Sequence, residues 1–153
     1  MARSPAPDQL KNGGEIRLQH FDDGIDGFLA IAEATKSIPF PIRRVYWITQ
    51  LSNPHAVRGK HAHKTLQQVI FCLNGSFELE LDDGEARTSV VLDRPDRGIY
   101  LGPGLWHVMR RFSPDCVILV LASALYDEAD YIRDYRAFKA HLASLSGPRQ
   151  GPP

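Results

Sequence analysis

The sequence predicts an all-β chain, folded as a small jelly-roll β-barrel with a short C-terminal helix. Three observations carry that expectation. Short apolar or alternating runs recur through the middle of the chain, turn sequences built on glycine separate them, and only the last stretch changes to helical spacing. A length of 153 residues suits one domain with one core.

The elements follow in order. Residues 1–14, "MARSPAPDQLKNGG", are polar and rich in Pro and Gly, and predict a flexible tail; "SLSGPRQGPP" at 144–153 predicts another. Residues 15–143 then form a single domain. "EIRLQHF" alternates weakly, "FLAIAE" is short and apolar, and "IRRVYWITQL" is rich in β-branched and aromatic residues. "LQQVIFCLNGSFELELDDGEARTSVVLD" holds three runs, separated at Asn74-Gly75 and Asp82-Asp83-Gly84, both of which read as hairpin turns. Phe77, Leu79 and Leu81 share one face of the middle run, with Glu78 and Glu80 on a solvated face opposite. "GIYLGPGLWHVMRRF" and "CVILVLAS" add strands around a Gly-Pro-Gly turn. In "DEADYIRDYRAFKAHLASL", Tyr131, Tyr135, Phe138 and Leu142 fall at helical spacing, so this stretch reads as one amphipathic helix packed on the barrel.

Composition narrows the partners. The chain carries 18 basic and 18 acidic residues, which argues against nucleic acid or an anionic membrane as the main partner. No apolar run reaches the roughly 20 residues needed to cross a bilayer, and the first residues lack a secretory core. Cys72 and Cys116 sit in apolar runs without zinc-type spacing and read as reduced, buried thiols of a cytoplasmic protein.

The chemistry concentrates in "RGKHAHK", Arg58 to Lys64. On a strand, His61 and His63 point to one face and Ala62 to the other. A third histidine, His107, follows a turn that returns its strand beside the first. The residues admit three readings: metal ligands, an acid/base group, or histidines with packing roles. Both segments resemble the two cupin motifs, with His61, His63, Gln68 and Gly75 in the first and Gly98, Pro103 and His107 in the second. Gln68 stands where metal-binding cupins have a glutamate, and a neutral amide is a poor ligand for Fe, Mn, Zn or Ni. Arg58, Lys60 and Lys64 add positive charge, which favours an anionic substrate over a divalent cation. Imidazoles titrate near neutral pH and can take and return a proton, and repulsion between two close neighbours keeps one of the pair neutral, the form a base needs. Tyr46 shares a strand face with Ile48 and Gln50, on the strand before the histidines, and can bond a carbonyl or enolate oxygen.

A longer ordered set is similar to the dTDP-4-keto-6-deoxyglucose 3,4-ketoisomerases, small metal-independent cupins of deoxysugar biosynthesis. The matching pieces are "IPFPIRRVYWI", "RGKHAHKTLQQVIFCLNGSFELELDDG", "GIYLGPGLWHVM", "FSPDCVILVLAS" and "YDEADYIRDYRAF". The resemblance implies His61 as base, Tyr46 as catalytic tyrosine and His63 as support for the proton relay. It places His107 where the family sets the C4 configuration, in the form seen in members that give the axial, galacto-configured 3-keto-6-deoxyhexose. Asp26 of Asp26-Gly27 stands where those members carry an arginine. Arg58, Lys60 and Lys64 are candidates for the diphosphate, with Gln68 and Asp26 as further substrate contacts. No metal or redox cofactor is implied, and the expected assembly is a homodimer with an exchanged N-terminal strand. The competing readings are a related sugar-nucleotide epimerase or a ketoisomerase with another positional choice, and a non-catalytic cupin that binds a sugar or a metal.

Overall fold

The computed structural model describes residues 4–147. In chain order the strands are β1 (Gly13–Arg17), β2 (Gln19–Asp22), β3 (Phe28–Ile31), β4 (Arg44–Ile48), β5 (Arg58–His63), β6 (Gln68–Asn74), β7 (Phe77–Asp82), β8 (Arg87–Leu92), β9 (Arg97–Leu101), β10 (Trp106–Arg110), β11 (Val117–Ala122) and β12 (Tyr131–Ile132); α1 (Tyr135–Leu145) follows. One five-stranded sheet runs β1-β9-β6-β11-β4, a second runs β12-β5-β10-β7-β8, and β2 and β3 form a separate hairpin. The two large sheets stack as a jelly-roll sandwich rather than a closed barrel. Ile70, Ile99, Ile118 and Val120 of the first sheet meet Phe77, Leu79, Leu81 and Met109 of the second in one core.

Alternation explains which side chains go in. Phe77, Leu79 and Leu81 are buried, while Glu78 and Glu80 turn out to pair with Arg111 and Arg110. Asp83-Gly84 does close the β7–β8 hairpin. Asn74-Gly75 does not close a hairpin, because β6 and β7 belong to different sheets, and the turn carries the chain across the sandwich. Glycine is required there: Gly75 sits at φ 71°, and a Cβ would press on Ser113 and Asp115. The Gly-Pro-Gly turn crosses between sheets in the same way, from β9 to β10.

Two expectations are corrected. The stretch before residue 15 is not a loose tail among the described residues. Leu10 is buried in the core, the Lys11 N–H donates to Asp83, and β1 begins at Gly13. At the other end, helical structure begins at Tyr135 rather than near Asp127, because the Asp134 carboxylate accepts from the Ala137 N–H and caps the helix there. The preceding residues form a 3₁₀ turn, Glu128–Asp130, and then β12. Helix α1 covers the outer face of the second sheet, with Phe138 against Ala62 and Ile132. It extends past residue 143, and most of the expected C-terminal tail, 148–153, lies outside the described residues. No helix among the described residues is long and apolar enough to cross a membrane.

Candidate active site

Strand β5 carries His61 and His63 inward, while Ala62 faces α1. On one side of β5, His107 of β10 lies directly opposite His61. On the other side, Tyr131 of β12 lies opposite His63. Strand pairing therefore assembles four rings into one wall. Ring centroids are 4.5 Å apart for His61–His107, 5.0 Å for His61–His63, 4.9 Å for His61–Tyr131 and 4.4 Å for His63–Tyr131. The first sheet supplies Tyr46 from β4 and Gln68 from β6, and the Gln68 Nε2 amide donates to the Tyr46 hydroxyl at 2.8 Å.

Each imidazole is held differently. The His61 Nδ1 lies 3.1 Å from the Gly59 carbonyl. The His63 Nδ1 lies 3.1 Å from an Asp130 carboxylate oxygen. Asp130 also accepts from the Thr65 N–H and hydroxyl and the Leu66 N–H. His63 Nε2 and His107 Nδ1 are buried without a partner among the described residues. Burial favours the uncharged form of all three imidazoles. Burial first, then the neighbouring His63, lowers His61 to about 4. Burial pushes His107 well below the ordinary value, helped by His61 and His63. Burial also lowers His63, with Asp130 opposing. Tyr46 is raised by burial and by Tyr131, while the Gln68 bond and the charges of Arg44 and Arg58 oppose.

These shifts fix the sign of the acid response. Between pH 6.5 and about 4 the unfolded chain binds a proton that folded His61 refuses, so stability falls as pH drops through that window. His63 and His107 act in the same direction. The expected outcome is a lower melting temperature at pH 5 than at pH 7 in calorimetry, with a flatter profile in a His107→Gln variant.

The structure brings His61, His63 and His107 together with Tyr131, and Tyr46, bonded to Gln68 on the other sheet, lies close enough to Tyr131 for charge to act between them. Arg58 begins β5 and sits close enough to Tyr46 for its charge to act there. Lys64 turns to the segment over His63, its Nζ donating to the Ala129 carbonyl. Lys60 is a correction: it faces outward and lines a cavity of about 710 Å³ on the opposite side of the second sheet, with Trp106 and Tyr135. Asp26 is on the exposed tip of the β2–β3 hairpin, in a separate sheet from the histidines. Among the described residues, no group of three or more His, Cys, Asp or Glu side chains is arranged to hold a metal ion.

Sequence reasoning missed Tyr131, Asp130 and the charged pair beside them. Arg133 stacks on the Tyr131 ring at 4.2 Å and bonds Glu128 at 2.7 Å. Helical spacing had absorbed Tyr131 into α1. The available signal was Asp134, an N-cap residue type placed just before the apolar stripe, which frees everything upstream of it from the helix.

Comparisons with known proteins give the family. The family model described as "FdtA: WxcM-like, C-terminal" matches residues 12–143. The TDP-4-oxo-6-deoxy-alpha-D-glucose-3,4-oxoisomerase of Aneurinibacillus thermoaerophilus is 49% identical over 139 residues, covering 90% of this chain and 99% of that relative. The crystal structure of a sugar 3,4-ketoisomerase from Thermoanaerobacterium thermosaccharolyticum, in complex with TDP, superposes with a TM-score of 0.85 at 39% identity, over 90% of this chain and 98% of that one. The TDP-quinovose 3,4-ketoisomerase of Campylobacter jejuni gives a TM-score of 0.80 at 41% identity, over 86% of this chain and 99% of that one. A family match spanning the sandwich, the histidine wall and most of α1, together with relatives similar over nearly their whole length, shows that this chain belongs to the FdtA, WxcM-like family.

Proposed function

We propose that the chain is a sugar-nucleotide 3,4-ketoisomerase, an intramolecular oxidoreductase that converts dTDP-4-keto-6-deoxyglucose to a dTDP-3-keto-6-deoxyhexose. The observation that carries this reading is the wall of three imidazoles kept uncharged by burial, with a tyrosine tethered by Gln68 on the facing sheet. The names of the relatives supply the substrate class. A variant of the Thermoanaerobacterium enzyme has been solved with TDP-4-keto-6-deoxyglucose itself.

The steps balance without an outside oxidant. The 4-keto group acidifies the C3 proton, and neutral His61 removes it. Tyr46 gives its phenolic proton to O4, which completes an enediol, and the phenolate then takes the proton from O3. The His61 imidazolium returns its proton to C4, leaving a ketone at C3 and a hydroxyl at C4. The C3 hydrogen of the gluco substrate lies on the α face. A base that delivers to C4 on that same face places the new hydroxyl axially, so one-base transfer gives the galacto product. His63 and His107 hold His61 neutral between turnovers, and Arg58 and Lys64, at the two ends of the histidine strand, are the candidate cations for the diphosphate.

A homodimer is part of the proposal. Trp47, 67% exposed, and Val45 cover one side of the edge strand β4, while Phe21, Phe28 and Leu29 are exposed on the β2–β3 hairpin. A second copy of the chain would cover such apolar surface. Proton NMR of the protein with dTDP-4-keto-6-deoxyglucose in heavy water tests the activity. The expected result is a 3-keto sugar with an axial 4-hydroxyl and deuterium at C4. A substrate that keeps its C3 proton and yields no new ketose overturns the reading in favour of a binding cupin. Inversion without movement of the ketone would make the protein an epimerase.

A further inference from the structure

Strand β5 does not enter the site as a regular strand. His107 pairs with His61 and Val108 with Gly59, so Lys60 is an extra residue without a partner across the ladder. Gly59 and Lys60 take consecutive positive φ angles, 80° and 56°. Glycine is required at 59 for a second reason: a Cβ there would lie 2.9 Å from the His107 carbonyl oxygen and 3.4 Å from its ring. A lysine at positive φ is uncommon. Such strain gathers at functional sites, where the surrounding structure enforces it.

The bulge has two features. Lys60 sits in it on the outer face, and the Gly59 carbonyl comes within 3.1 Å of the His61 Nδ1. A carbonyl oxygen only accepts, so Nδ1 must carry the hydrogen and Nε2 must keep its lone pair. We propose that the Gly59–Lys60 bulge is a positioning device for the reaction: the Gly59 carbonyl fixes His61 in the Nδ1–H tautomer and so presents Nε2 as the base.

Among the described residues, nothing else facing His61 does this. His63 shares its strand with Nδ1 committed to Asp130, His107 faces it from β10, Tyr131 faces it from β12, and Glu128 and Arg133 act on it through charge. A neutral carbonyl differs from the carboxylate that orients many catalytic histidines. It sets the tautomer while giving the imidazolium less support, in keeping with a histidine that stays uncharged well below neutral pH.

The inference rests on His61 being the base of the proposed isomerase, and the test separates the two. Nitrogen-15 NMR of the free, full-length protein reads the His61 tautomer, assigned by loss of its signals in His61→Asn. The wild type is expected to show Nδ1–H. Gly59→Ala is expected to show mixed tautomers, with kcat reduced about tenfold or more, KM unchanged and the acid limb of the pH–rate profile displaced. Gly75→Ala, crowded at the other cross-sheet turn, is expected to lower the melting temperature while leaving tautomer, kcat and pH profile alone. An active wild type with His61 protonated at Nε2 overturns the inference alone. So does a Gly59→Ala protein that loses only stability. Where Gly59→Ala does not fold, the wild-type spectrum decides. A wild type that shows Nδ1–H but exchanges no C3 proton overturns the functional reading, and with it the catalytic meaning of the bulge.

Discussion

His61→Asn is expected to lower kcat for isomerisation by roughly 10²–10⁴-fold, the range for loss of a general acid/base group, while the fold and TDP binding persist. The physical reason lies in how little else His61 does. It is only partly buried, and among the described residues its one hydrogen bond is to the Gly59 carbonyl. Asparagine keeps a donor for that carbonyl and has no nitrogen that takes a proton near neutral pH. Removal also takes away a neighbour that disfavours charge on His107. Three measurements check it together: turnover by NMR, TDP affinity by calorimetry, and melting temperature. Turnover near the wild-type value would remove His61 from the base role and move attention to His63, the other histidine of the wall on β5.

Asp130→Ala carries the second large effect, and there stability and rate fall together. One carboxylate accepts from the Thr65 N–H at 2.8 Å, the Thr65 hydroxyl at 2.7 Å, the Leu66 N–H at 3.2 Å and His63 at 3.1 Å. Its side chain is only 12% exposed. Alanine leaves those donors without their acceptor, for a loss of roughly 3 kcal/mol. Burial alone would raise the Asp130 carboxyl, but the Thr65 and Leu66 bonds and His63 outweigh it and hold it below the ordinary range. A carboxyl held low contributes stability above its unfolded pKa, and that contribution is lost as pH falls through the folded value. Urea unfolding at pH 7 should show the deficit, and the difference between the two proteins should narrow toward pH 3. A variant as stable as the wild type at pH 7 would show that the 128–132 segment is held by other contacts.

The fold class was legible because alternation and turn chemistry are local. Leu79 between Glu78 and Glu80 already says which face is core. Which strands pair is not local, so Asn74-Gly75 looked like a hairpin although it joins two sheets. The inward aim of His61 and His63 was legible from period two. The outward turn of Lys60 agrees with that alternation, but the bulge beneath it has no sequence mark beyond one glycine. Tyr131 was hidden because its spacing to Tyr135 and Phe138 fits a helix as well as it fits a strand followed by a helix. The role of Leu10 was hidden by polar neighbours, since a single buried residue leaves no periodicity.

The short stretch from Glu128 to Asp134 touches both sides of the second sheet. Asp130 and Tyr131 lie against His63 inside, Ile132 lies under Phe138 outside, and Asp134 starts the helix. No residue of α1 needs to reach the substrate for the helix to matter. Its docking and the order of the histidine wall share this one segment, so amide protons of α1 and of β12 are expected to open to solvent exchange together in a hydrogen-exchange measurement. The histidine wall and the helix on the far side of the sheet are thus fastened through one segment, and loosening α1 is expected to loosen the wall.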